Sequence, residues 1–155
     1  MVEAVIFDYN RTLVQGEETP PKFFPETLGV LKTLKKRRIK LAVVSVGGDN
    51  PTARHQEFDQ LGLRKYISVF KVVGKDERKD LQPILDELQV QASACVVVGD
   101  RVRKEIVEGN KVGAVTVWLE QGKFSEEEKP KTPEAQPKFT INNLSELIPI
   151  IDSLA

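Results

Sequence analysis

Five short apolar runs, at residues 4–7, 40–44, 67–73, 94–98 and 114–119, constrain this chain more than any other feature. Each is about one strand long and rich in Val, Ile or Phe, and none alternates cleanly between apolar and polar residues. Such runs belong to strands buried on both faces, as in a parallel sheet. Helical patterns separate them. Residues 25–38 place Leu28, Leu31 and Leu34 at helical spacing. Residues 51–61 open with Asn50 as a candidate N-cap and Pro51 at the first helical position. Residues 77–88 carry Leu81, Ile84, Leu85 and Leu88, residues 102–111 end before Gly113, and 144–154 close the chain with Asn143 as cap and Pro149 as a kink or early end. Strand and helix in alternation predict one α/β domain over residues 1–155. Its sheet is doubly wound, mostly parallel, five- or six-stranded and joined by right-handed crossovers, with a weak last strand at 139–141. The stretch 120–138, with Glu126, Glu127, Glu128 and several prolines, reads as a flexible loop.

Bulk properties exclude several classes of function. A chain of 155 residues with 40% hydrophobic and 30% charged content can bury a core of its own. Lys plus Arg and Asp plus Glu both number 23, so no net field gathers nucleic acid or an acidic membrane. The basic group Lys35, Lys36, Arg37 and Arg38 suits the negative end of a helix dipole. The single cysteine, Cys95, lies in an apolar strand, cannot form an internal disulfide and is expected to be inert. The N-terminus lacks the features of a signal peptide, and no apolar run approaches the roughly 20 residues that span a bilayer. A cytoplasmic protein is the expectation.

In open parallel sheets, ligands bind beyond the carboxyl ends of the strands. There the chain places Asp8-Tyr9-Asn10-Arg11-Thr12 after the first strand and Ser45-Val46-Gly47-Gly48-Asp49 after the second. Gly74, Lys75 and, further on, Lys79 follow the third, and Gly99-Asp100-Arg101 the fourth. Two carboxylates at one rim call for a cation or a proton between them. A hydroxyl, a Gly-Gly backbone and a lysine beside them are donors for an anion. A hard-cation site next to an anion site is the layout for phosphoryl transfer. The lone His55 has no partner for a metal site, Trp118 reads as packing, and Gly47-Gly48 lacks the spacing of a dinucleotide fingerprint.

These strand ends resemble the haloacid dehalogenase (HAD) superfamily of hydrolases. Asp8-Tyr9-Asn10-Arg11-Thr12 stands for its Asp-x-Asp-x-Thr motif, Ser45 for the second, a lysine before a helix for the third, and Gly99-Asp100 with Glu105 for the fourth. Lys75, thirteen residues before Leu88, is preferred as the third-motif lysine, with Lys79 as its rival. The resemblance implies a HAD-like Rossmannoid fold and Mg²⁺-dependent phosphatase activity. Asp8 would be the nucleophile, and Ser45 and Lys75 would bind the phosphoryl group. Asp8, the Asn10 carbonyl, Asp100 and Glu105 would serve the metal, with Glu105 acting through water or from behind the direct ligands, or else pairing with Lys75 and orienting it. Asn10 stands where family phosphatases carry an acidic general acid/base, which implies slow turnover. The alternatives are a phosphate- or partner-binding module without turnover, and a phosphorylatable switch. The gaps between motifs hold no room for a cap domain, so the chain reads as capless. Capless members act on exposed or macromolecular phosphates, or borrow cover from a neighbouring subunit in a homo-oligomer. Segments 13–24 and 120–138 are candidate partial lids.

Overall fold

Among the described residues, six strands form one parallel sheet: β1 (Ala4–Asp8), β2 (Lys40–Val46), β3 (Val69–Val73), β4 (Cys95–Gly99), β5 (Val115–Leu119) and β6 (Phe139–Ile141). They pair in the order β3-β2-β1-β4-β5-β6, with every adjacent pair parallel. The structure is a computed structural model that describes residues 1–16, 20–47, 50–121 and 125–155.

β1 is central because its residues are apolar on both sides. Val5 and Phe7 pack with Leu31 and Leu34 of α1 (Thr27–Lys36) and with Leu147 and Ile151 of α5 (Leu147–Ser153). Ala4 and Ile6 pack on the opposite face against Ile84, Leu85 and Leu88 of α3 (Gln82–Leu88). A strand covered on both faces needs no polar alternation, which is why the apolar runs look continuous. Two further helices, α2 (Pro51–Gln60) and α4 (Val107–Val112), complete the layers. Asn50 caps α2 by accepting the Ala53 N–H at 3.1 Å, and Asn143 forms a capping box with Glu146 ahead of α5. Pro149 lies within the first turn of α5, where no backbone donor is needed, and the helix continues to Ser153.

Two helices differ from the sequence expectation. The helix expected over 77–88 starts at Gln82, so Gly74 to Leu81 form a loop. Pro83 explains this: inside a longer helix it would lack its hydrogen bond and clash with the preceding turn, whereas in the first turn it is tolerated. The helix expected over 102–111 begins with a π-helical turn, Val102–Ile106, before α4. The stretch 120–138 forms one 3₁₀ turn, Pro133–Ala135, among its described residues, and it buries Ala135 and Glu128.

Cys95 is fully buried at the start of β4, and burial pushes its thiol up from 9.0 to about 12. The native protein should therefore resist an aromatic disulfide reagent at pH 8, and unfolding should release one titratable thiol. The linkage sign follows. The thiol's contribution to stability is complete below pH 9 and declines as pH rises from there toward 12, because only the unfolded chain ionises in that window. A labelled native thiol at pH 8 would contradict this placement.

Candidate active site

The carboxyl ends of β1, β2 and β4 open into a cavity of about 880 Å³. Asp8, the last residue of β1, reaches its floor. Beyond it the chain turns sharply. Arg11 takes a left-handed backbone conformation (φ 60°), and Thr27 Oγ1 of α1 donates to the Leu13 carbonyl at 2.8 Å and ties the turn down. Positive φ is uncommon at a residue with a side chain. Here it sends the Arg11 side chain back to Asp100, with Nε donating to Oδ2 at 3.0 Å.

Asp8, Asp100 and Glu105 form the heart of the site. One carboxylate oxygen from each lies within 4.8 Å of the others, and all three residues are buried. Asp100 ends the β4 turn, where the Trp118 indole N–H donates to its backbone carbonyl at 3.2 Å. Trp118 therefore holds the turn as well as packing beside it. Glu105 comes from the π-helical turn and accepts the Arg101 N–H at 3.3 Å. Gly99 makes room for it: a Cβ there would stand 2.5 Å from Glu105 Oε2, so any larger residue would push this carboxylate out.

The cation among these acids is Lys79. Its Nζ donates to Asp8 Oδ1 at 2.7 Å and also to Glu105 Oε1, and the residue is only 4% exposed. Lys75, the residue preferred on spacing, is exposed at the mouth of the cavity and has no ion pair among the described residues. The late start of α3 is the reason. Of the two lysines the sequence offers before this helix, Lys79 is the nearer to its first residue, Gln82, and it is the one whose ammonium reaches Asp8. Pro83 was the sequence signal for it.

Charge sorts the three carboxyls. Burial pushes Asp8 up, but the Lys79 ammonium and hydrogen bonds from its surroundings outweigh burial and hold it below the usual range. Burial, followed by repulsion from Asp8, raises Asp100 to about 8 despite Arg11. Burial and Asp8 raise Glu105 to about 7, opposed by Lys79. For Lys79, burial favours the neutral amine, and the charges of Asp8 and Glu105 more than reverse this. With all three carboxyls ionised, the described residues at the cluster set Lys79 and Arg11 against three negative charges.

Among the described residues, three buried side-chain oxygens lack a hydrogen-bond partner: Asp100 Oδ1, Ser45 Oγ and Thr12 Oγ1. Orphaned buried polar atoms are costly, and in a native site they point to something that binds there. The Asp100 oxygen, with Asp8 and Glu105 beside it, fits a hard divalent cation of the Mg²⁺ type, which takes oxygen ligands. The Ser45 hydroxyl, at the end of β2, suits an anion. Ser45 also lines the cavity, as does Gly47; Gly48 and Asp49 lie outside the described residues.

Asn10 is held by a residue the sequence reading did not single out. Arg54, in the first turns of α2, donates from Nη1 to Asn10 Oδ1 at 3.3 Å and from Nη2 to the Val46 carbonyl at 3.4 Å. Its guanidinium lies 5.0 Å above the Tyr9 ring and pairs with Glu57 at 3.5 Å. Glu57 in turn accepts the Tyr9 hydroxyl at 2.6 Å. Asn50 and Pro51 fix where α2 begins, so Arg54's position near the rim was accessible from the sequence.

A family model described as haloacid dehalogenase-like hydrolase matches residues 2–113, most of the chain and all four motif positions. This chain belongs to the haloacid dehalogenase-like hydrolases. Among curated relatives it is similar to a glyceraldehyde 3-phosphate phosphatase of Methanocaldococcus jannaschii, 28% identical over 84% of this chain and 57% of the relative. The chain thus spans little more than half the length of that protein. Solved HAD-like folds superpose over most or all of its length. A 2-haloacid dehalogenase from Pseudomonas syringae covers 100% of both chains at a TM-score of 0.78 and 17% identity. A HAD phosphatase from Thermococcus onnurineus covers 84% of this chain and 59% of its own, at a TM-score of 0.66 and 24% identity. No helix among the described residues is long and apolar enough to cross a membrane.

Proposed function

We propose that this HAD-like protein is a capless, metal-dependent phosphomonoester hydrolase that works through an aspartyl phosphate on Asp8. The observation that carries the reading is Asp8 itself: a carboxylate kept ionised by Lys79 at 2.7 Å on the floor of an open cavity. Only an ionised carboxylate can attack phosphorus. The Asp8 oxygen forms the new bond to phosphorus while the ester P–O bond breaks and its electron pair leaves on the departing oxygen. Ser45 and Lys79 hold the phosphoryl oxygens. Water then attacks phosphorus, the Asp8–phosphorus bond breaks, and inorganic phosphate leaves. Asp8, the Asn10 carbonyl and Asp100, with Glu105 beside them, would hold a divalent cation, which would supply charge neutralisation at the phosphoryl oxygens. Glu105 acts chiefly by positioning Lys79. Phosphatases among the curated relatives, including a phosphoserine phosphatase of Thermus thermophilus, support the reaction class.

Asn10 neither gives nor takes a proton near neutral pH, so the leaving group departs without protonation from this position. Aryl and acyl phosphates are therefore the best substrates. With Mg²⁺, their hydrolysis should exceed that of an Asp8→Asn control by about 10³-fold or more. Equal rates would overturn the proposal.

The same residue favours one second reading. Because Asn10 cannot activate water, an Asp8 acyl phosphate can outlive its formation and serve as a switch. Rapid quench with labelled acetyl phosphate separates the two: a long-lived stoichiometric adduct marks the switch, and steady turnover marks the phosphatase.

A further inference from the structure

The chain is electrically neutral, yet its cavity is not. Among the described lining residues, eight are Lys or Arg and four are Asp or Glu. The phosphoryl site accounts for Lys79, and Asp100 engages Arg11. Arg78 is matched by Glu108 at 2.8 Å, and Arg101 and Arg103 share the buried Glu128 at 3.0 and 2.8 Å. Arg54 differs from these. It stands in the wall beside Asn10, two residues from Asp8, with a side chain only 18% exposed. Its carboxylate partner Glu57 lies 3.5 Å away and already accepts the shorter bond from Tyr9. Tyr9, Asn10 and the Val46 carbonyl hold the guanidinium in one place from three directions. A planar fork fixed in this way is preorganised for a carboxylate or a phosphate.

We infer that Arg54 is a specificity-determining residue that binds a second anionic group, a carboxylate or phosphate on the leaving-group side of the phosphorylated substrate. This rests on the phosphoryl site proposed above and names the class of ester it takes: a small phosphomonoester of an acid rather than of a neutral alcohol. The position of Arg54 next to Asn10 sets the reach, because the second anion must lie only a few bonds from phosphorus. Such a contact also replaces part of what Asn10 withholds, since it orients a leaving group that this residue cannot protonate.

Stable phosphonates test this without turnover. Phosphonoacetate and ethylphosphonate are near-isosteres that differ in the carboxylate, as are 3-phosphonopropionate and propylphosphonate. Each is titrated by calorimetry into the full chain with Mg²⁺. The carboxylated member of at least one pair should bind about 10- to 100-fold more tightly, the range of one charge-assisted hydrogen bond. In Arg54→Gln this ratio should fall to within about threefold of unity, while Lys104→Gln on the rim should retain most of it. Arg54→Lys should recover part of the preference. Equal affinities within both pairs in the unmodified chain overturn the inference and leave the phosphoryl site standing. A ratio unchanged in Arg54→Gln, or lost equally in Lys104→Gln, overturns the assignment to Arg54. No binding of any phosphonate overturns the phosphoryl site and this inference with it.

Discussion

Lys79→Met is expected to lower turnover by about 10²- to 10³-fold, the usual cost of removing one preorganised charge from a reacting centre. The fold should weaken at the same time. Lys79 is buried between Asp8 and Glu105, and removing one member of a buried ion cluster leaves the others uncompensated, at about 3–5 kcal/mol. For a domain of this size that lowers the thermal midpoint by on the order of 10 °C. Added Mg²⁺ should recover more of the midpoint in the variant than in the parent chain, because a bound cation neutralises the acids that Lys79 abandons. Lys75→Met should cost less than about tenfold and leave the midpoint within about 2 °C, as exposed side chains without partners do. Calorimetric melts and aryl phosphate kinetics on the two variants decide the matter. If Lys75→Met is the damaging change, the placement of the third-motif lysine is wrong.

Asn10→Asp is expected to raise turnover by about 10²- to 10⁴-fold, the gain from restoring a general acid/base. The gain should be uneven. Arg54 reaches Oδ1 of Asn10 at 3.3 Å, and its charge would keep the introduced carboxylate ionised. An ionised group is ready as a base for water and unready as an acid for the leaving group. Aryl phosphates, which need no protonation to depart, should therefore gain most, and alkyl phosphates less. Rapid quench should show the phosphoenzyme level falling as the rate rises. No gain with either ester would mean that Asn10 does not limit the reaction.

Much of the fold was legible because its information is local. The apolar runs at 4–7, 40–44 and 94–98 became β1, β2 and β4 with ends shifted by a residue or two, and the weak run at 139–141 became β6. Asp8, Asn10, Ser45, Asp100 and Glu105 follow from strand ends, and the topology brings them to one region. Lys79 was harder to choose, because counting back from Leu88 ignores where the helix starts. Pro83 sets that start, and with it the lysine that enters the core. Arg54 was missed for a different reason. Its role depends on Tyr9, Asn10 and Glu57 meeting in space, and no local pattern announces a contact across 44 residues.

The central place of β1 has a consequence for how this protein is made. Lys79 reaches Asp8 from 71 positions along the chain, and Arg11 spans 89 positions to Asp100. The first needs the segment after β3, on one side of β1, and the second needs β4 docked on the other side, and distant pairings of this kind are the slow events in assembling a parallel sheet. A nascent chain can therefore hold helices and a collapsed interior while its acids are still apart and unable to attack phosphate. Catalytic competence arrives only when both sides of β1 are in place, so the unfinished protein is chemically silent.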